Sequence, residues 1–147
     1  MDEDASYNYS ILLTSAYRSL RVQVYNCLSK YDLIPTQWSL IGIVYKAKDG
    51  ITLSDAATML GVKLPLITIM VDFLAKKQLI ERISNVADGR SKLLVPTKSG
   101  FERVLEIEKD INHSLAPLLI GINHDDLHGF QKVLGTIIKN DKQLVTQ

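Results

Sequence analysis

The sequence predicts a mainly α fold with one small β hairpin set into its middle, and three observations carry the prediction. Apolar residues recur at intervals of three and four in six separate stretches, the spacing that paints one stripe along a helix. A central stretch, Leu79-Ile-Glu-Arg-Ile-Ser84, alternates instead, and Lys92-Leu-Leu-Val95 follows it beyond an Asp88-Gly89 pair, a hairpin signal. Pro35, Asp49-Gly50, Gly61 and Gly121 stand at the joints between stretches, where helices end.

The first helix, residues 6–31, is marked by Leu13, Ala16, Leu20, Val24, Cys27, Leu28 and Tyr31. Pro35 breaks it, and Ile34, Trp38, Ile41 and Tyr45 resume the period in a second helix that Asp49-Gly50 ends. Thr52, with Asp55 three residues on, has the form of a capping box: a hydroxyl for an orphan N–H and a carboxylate in the first turn. It opens a short helix striped by Leu53, Ala56, Ala57 and Leu60 and closed by Gly61. Lys63 to Gln78 forms the next, with Ile67, Val71 and Leu74 on one face. A short helix, a glycine turn and a longer helix make a helix-turn-helix pattern, and the hairpin comes directly after it. Thr97 and Ser99, the latter with Glu102 three on, offer caps for a helix through Phe101, Leu105, Ile111 and Leu115 toward Pro117. Asn123, backed by Asp125 and Asp126, starts the last helix, which carries Leu127, Phe130, Leu134, Ile137 and Ile138 before a polar tail from Asp141.

No internal repeat occurs, and residues 1–147 read as a single domain. A winged helix-turn-helix head over residues 33–100 is framed by long helices over 6–31 and 101–143. Terminal helices rich in Leu and Ile can pair with a second copy, giving a two-fold dimer that holds two heads apart. Dimeric readers of this kind match half-sites about one helical turn, roughly 34 Å, apart.

Composition narrows the function. With 46% hydrophobic and 22% charged residues the chain can build a core and is not disordered. No run of about 18 apolar residues occurs, and the acidic start Met1-Asp2-Glu3-Asp4 lacks the parts of a signal peptide, so no membrane partner and a cytoplasmic location are expected. A lone cysteine, Cys27, makes no internal disulfide and fits a reducing compartment. The net charge of +1 hides an uneven distribution. From Gly61 to Gly100 seven basic residues (Lys63, Lys76, Lys77, Arg82, Arg90, Lys92, Lys98) stand against three acidic ones (Asp72, Glu81, Asp88), a local +4 that leaves −3 elsewhere. That is a modest footprint for a nucleic-acid contact, with ordinary surface charge as the other reading.

Two stretches, Leu53-Ser-Asp-Ala-Ala-Thr-Met-Leu-Gly-Val62 and Asp88-Gly-Arg-Ser-Lys-Leu-Leu-Val-Pro-Thr-Lys-Ser-Gly100, together resemble the MarR family of bacterial and archaeal transcription regulators. The second is similar to that family's wing signature: an Asp and an Arg at the hairpin tip, a return strand, then a Thr-x-x-Gly helix entry. The resemblance covers nearly the whole chain in element order and reaches motif level from residue 52 to about 100. It implies an obligate homodimer of winged helix-turn-helix heads on pseudo-palindromic double-stranded DNA, usually repressing, often released by a small aromatic or anionic effector, with no cofactor. It makes Arg90 the wing-tip arginine that reaches the minor groove, where narrow A·T-rich segments attract a guanidinium. Asp88 then orients the wing, and Lys92 meets a phosphate, adding affinity without sequence information. A solvated hairpin tip is the alternative for all three.

The longer helix of the pair, the recognition helix of the resemblance, departs from the family pattern. Leu66 stands where a serine or threonine is common, and Ile69 and Phe73 where arginine or another polar residue is common, while Pro65, Thr68 and Asp72 keep familiar types. Ile69 lies opposite the Ile67, Val71 and Leu74 face, so a second stripe of Leu66, Ile69 and Phe73 is expected to point outward. Only Lys63 and Thr68 offer hydrogen bonds to base edges near the helix start. On one account Leu66 and Ile69 touch thymine methyls while phosphate and wing contacts supply most affinity. On the other, the stripe is covered by another protein, because an exposed apolar patch marks a partner site. The first account gives a DNA-binding set of Lys63, Leu66, Thr68, Ile69, Arg90 and Lys92.

Other chemistry is weakly specified. His124 and His128, four apart beside Asp125 and Asp126, form a two-ligand metal face without a third ligand, since His113 belongs to a different helix. No nucleophile with a base, carboxylate pair or Gly-rich phosphate loop is present, so no enzyme activity is expected. Cys27 sits in an apolar stripe and reads as a buried, inert thiol. Trp38, Tyr17 and Arg18 or Arg21 could line a ligand pocket between frame and head, although large aromatics at helical spacing more often pack.

Overall fold

The computed structural model describes residues 3–144. The acidic Met1-Asp2 start and the last part of the polar tail, residues 145–147, lie outside them. The chain divides into two units, Met1–Leu115 and Ala116–Gln147. The first runs α1 (Glu3–Ser29), α2 (Pro35–Lys46), β1 (Ile51–Thr52), α3 (Leu53–Leu60), α4 (Leu64–Lys76), β2 (Ile80–Ser84), β3 (Lys92–Pro96) and α5 (Lys98–Leu115). The second holds a short 3-10 turn, Ala116–Leu119, and α6 (His124–Leu144).

The mainly helical fold with a central hairpin is as expected. β2 and β3 pair antiparallel from Ile80↔Pro96 to Ser84↔Lys92. One strand was not expected: β1 pairs with the other edge of β3 through Ile51↔Leu94 and Thr52↔Leu93. Two residues just before a helix cap carry no alternation to read. The Asp88-Gly89 pair is also not a two-residue turn. It sits inside a loop over residues 85–91 between the strands, and Gly89 lacks the positive φ that such a turn demands.

Helix ends follow local chemistry. The Thr52 hydroxyl accepts from the Asp55 amide at 3.1 Å, and Gly61, at φ 67, closes α3. The chain then turns by 108° into α4, within the range of helix-turn-helix pairs. α1 stops two residues before Tyr31, and Asp32 takes φ 52. Lys77 holds that turn, donating to the Tyr31 carbonyl at 3.1 Å and pairing with Asp32 at 3.5 Å. α4 likewise stops before Gln78, whose φ is 57. At α5 it is Thr97 rather than Ser99 that caps, accepting from the Gly100 amide at 2.8 Å. Asn123 caps α6 by accepting from the Asp126 amide at 2.8 Å, and α6 continues through Asp141 to Leu144.

The core of the first unit gathers Leu28, Leu40, Ile41, Val44, Ile67, Val71, Leu74, Ile80, Leu94 and Ile107, so every element except β1 and α3 supplies a large side chain and α3 supplies Ala56 and Ala57. Burying such side chains contributes roughly 1.5–3 kcal/mol each before entropy is counted. The stripes of the outer helices are only partly covered. Among the residues of α1 whose burial is described, only Cys27 and Leu28 are buried, while Leu13 and Ala16, expected on the same stripe, are exposed. In α5 the buried line is Gly100, Val104, Ile107 and Ile111. Phe101 and Leu105 fall on a second, exposed line, with the Phe101 ring stacked 6.4 Å from Tyr45. No described residue of α6 is buried, and Phe130, Ile137 and Ile138 are exposed.

α1 is tied to α5 by polar contacts as well. The Tyr31 hydroxyl donates to Asp110, and the Arg103 guanidinium lies 4.9 Å over the Tyr31 ring. That hydrogen bond, together with burial and the nearby carboxylates, pushes the Tyr31 phenol up to about 12.

Candidate nucleic-acid interface

α4 places four side chains, Ile67, Met70, Val71 and Leu74, in the core. Three of them were legible from spacing, and Met70 extends the same face. The rest of the helix must therefore face outward, and Ile69 is 66% and Leu66 47% exposed. Phe73 is a correction to the expected outward stripe. It is half-buried against the core, and the Lys77 ammonium lies 5.2 Å over its ring. At 100° per residue Phe73 falls on the flank between Ile69 and the buried Met70, and the core draws it in.

Around this apolar strip the polar groups are few. Lys63 is the N-cap residue of α4 and is exposed. The Thr68 hydroxyl donates to the Leu64 carbonyl at 2.9 Å, so its proton is committed within the helix and its lone pairs remain. Asp72 accepts from Arg82 of β2 at 2.6 Å. That ion pair joins the outer flank of α4 to the root of the wing.

The wing tip is held by its own side chains. Asn85 accepts from the Ala87 amide at 3.1 Å and donates to the Ser91 hydroxyl at 2.9 Å. Asp88 accepts from the Arg90 amide at 3.1 Å, and its carbonyl accepts from the Ser91 amide at 3.1 Å. Asp88 thus fixes the backbone from which Arg90 projects. The Arg90 side chain is exposed and its guanidinium has no partner among the described residues. Lys92 donates to Ser84 across the strand pair at 3.1 Å. Asn85, Ser91 and Arg82 had no assigned part in the sequence reading. The Asn and Ser near a hairpin tip were the available signal, because both build local turns, whereas Arg82 and Asp72 are ten residues apart and meet only through tertiary packing.

The suggested pocket of Trp38 with Tyr17 and Arg18 or Arg21 is divided. Tyr17, Arg18 and Arg21 line a groove along α1, where the Arg21 guanidinium lies 5.8 Å over the Tyr17 ring. Trp38 lines a separate cavity of about 380 Å³ between α2 and α5, together with Tyr45, Phe101 and Glu108. Cys27 is buried. His124 and His128 are exposed on α6, and among the described residues no three potential ligands converge. No single described helix is long and apolar enough to cross a membrane.

The MarR family model matches residues 33–92. Among solved structures, the chain is similar to a MarR-family transcriptional regulator from Rhodococcus sp. RHA1, with a TM-score of 0.79 at 18% identity, over 92% of this chain and 96% of that one. It is also similar to CouR from Rhodococcus jostii RHA1 bound to p-coumaroyl-CoA, with a TM-score of 0.79 at 19% identity, over 92% and 95% of the two chains. A third similar structure is a mutant MarR from E. coli complexed with operator DNA, with a TM-score of 0.70 at 19% identity, over 93% and 99%.

Proposed function

Residues 33–92 are a MarR-family domain in a chain with the fold of MarR-family transcriptional regulators, and from that premise we propose that this protein is a homodimeric DNA-binding transcriptional repressor acting in the cytoplasm. Its α4 enters the major groove of a pseudo-palindromic operator, and Arg90 enters the adjacent minor groove. The observation that carries the reading is the pairing of two exposed elements. A helix with Lys63 at its start and a wing tip with an unpartnered guanidinium at Arg90 are joined through Asp72 and Arg82. Arg90 and Lys92 supply charge for the backbone and minor groove, and Asp88 holds the loop that aims Arg90. Leu66, Thr68 and Ile69 face the bases.

The dimer is supported by the apolar side chains that a single chain leaves uncovered on its frame helices. Tyr7, Ile11, Leu12 and Leu13 of α1, and Phe130, Ile137 and Ile138 of α6, are exposed. Patches of this extent are more readily explained as interface than as free surface. The aromatic cavity between α2 and α5 seats a small aromatic or anionic effector that releases the operator, since it abuts both a frame helix and the head.

A second reading rests on the exposure of Ile69 and Leu66: the same strip docks another protein, and DNA binding is weak or absent. Selection from a random duplex library, followed by fluorescence-anisotropy titration at several salt concentrations, separates the two. The expected result is enrichment of a pseudo-palindrome with half-site centres roughly 10 base pairs apart, bound with strong salt dependence. Absence of enrichment, with no binding to any duplex even at low salt, overturns the regulator and favours the docking module.

A further inference from the structure

We propose that α4 reads thymine methyl groups, so that the operator half-sites are selected in the major groove by apolar contact with A·T pairs rather than by paired hydrogen bonds. This rests on the DNA-binding reading above and deepens it.

Strong direct readout comes from side chains that donate or accept twice, such as Arg on guanine or Asn and Gln on adenine. α4, Leu-Pro-Leu-Ile-Thr-Ile-Met-Val-Asp-Phe-Leu-Ala-Lys, contains none of them. Its polar groups are also restricted. Asp72 is held by Arg82, Lys76 lies in the last turn, and the Thr68 proton goes to the Leu64 carbonyl. Thr68 is left as an acceptor only.

What remains outward is apolar, Leu64, Leu66 and Ile69 with the Pro65 ring, together with one acceptor oxygen. In the major groove a T·A pair presents the thymine C5-methyl on one side and the adenine N6–H₂ donor on the other. The two halves of that pattern match the two kinds of group on the helix. Guanine offers only acceptors there, which neither Thr68 as it is bonded nor an apolar side chain can satisfy, so beyond the reach of Lys63 at the helix start, G·C pairs with guanine under the strip leave unmet hydrogen-bonding groups.

The surroundings suit a polyanion rather than a second apolar surface. Lys63 at the start of α4, and Arg90 and Lys92 on the wing, are exposed. An apolar strip flanked by cations fits a groove whose floor carries methyl groups and whose rims carry phosphates.

The test uses the duplex obtained by library selection, remade with deoxyuridine in place of thymidine in the half-sites, which removes the methyls and keeps every base-pair hydrogen bond. Affinity is expected to fall about fourfold per contacted methyl, on the order of tenfold for two methyls in one half-site. The same titrations with a Leu66→Ala/Ile69→Ala variant close the cycle. Both side chains are exposed, so the variant is expected to fold as the parent does. If the uridine effect is largely lost in the variant, the methyls are read by these side chains. Equal affinity of the parent for both duplexes overturns the proposal, as does an equal loss in parent and variant, which would place the effect in DNA shape. Failure to select any duplex would instead overturn the DNA-binding reading itself.

Discussion

Replacing Arg90 by alanine is expected to weaken operator binding by about two orders of magnitude at moderate salt, on the basis of roughly 1.5 kcal/mol per charged contact and two wings per dimer. The salt slope is expected to fall by about two. The reason lies in how the tip is built. Asp88 and Ser91 spend their hydrogen bonds on loop backbone and on each other, which fixes the loop before any ligand arrives and leaves the guanidinium unengaged. The loop backbone therefore loses little entropy on binding. Because the substitution touches no buried group, thermal stability should not change, and affinity measured against salt reads the contact alone. An Arg90→Ala variant that binds as tightly as the parent at every salt concentration would remove the wing from the interface.

Substituting Gly100 with alanine is expected to destabilise the protein by about 3 kcal/mol, lowering the melting temperature by roughly 10 °C. A Cβ there would meet the Thr97 hydroxyl at 2.6 Å, the Gln78 carbonyl at 2.8 Å and Leu79 Cα at 2.8 Å. Two of these are backbone atoms at the turn from α4 into β2. Thr97 closes the same junction, since its hydroxyl donates to the Gln78 carbonyl and accepts from the Gly100 amide. Tyr45 adds a hydrogen bond to the Leu79 carbonyl at 2.9 Å. The start of α5, the end of α4 and the start of β2 therefore meet where only a hydrogen fits. Thermal denaturation checks this, and an unchanged melting temperature would mean that the junction can open without cost.

The parts of the fold that depend on neighbours in sequence were legible from it. Thr52 and Asn123 cap where their side chains suggested, Gly61 ends its helix, and the Ile67, Val71 and Leu74 face of α4 is buried as its spacing implied. What escaped depends on distant partners. β1 exists because β3 has a free edge beside it, and a two-residue pairing leaves no period in the chain. Phe73 looked outward because angle alone cannot say how far the core reaches around a helix. Leu13 and Phe101 lie on apolar stripes and yet are exposed, because a stripe announces burial without naming the surface that supplies it. At the candidate interface, Arg90 and Asp88 could be picked out by motif. The network of Asn85 and Ser91 and the Asp72–Arg82 tie could not, being products of loop closure and packing.

In the proposed mode of binding, α4 and the wing together form the DNA-contacting surface. Backbone amide hydrogen exchange of the free protein and of its complex with the selected duplex measures that directly. Slower exchange on binding is expected over residues 63–69 and over the 85–91 loop. Exchange unchanged in both segments while the duplex is demonstrably bound would contradict the account and move the interface elsewhere on the chain.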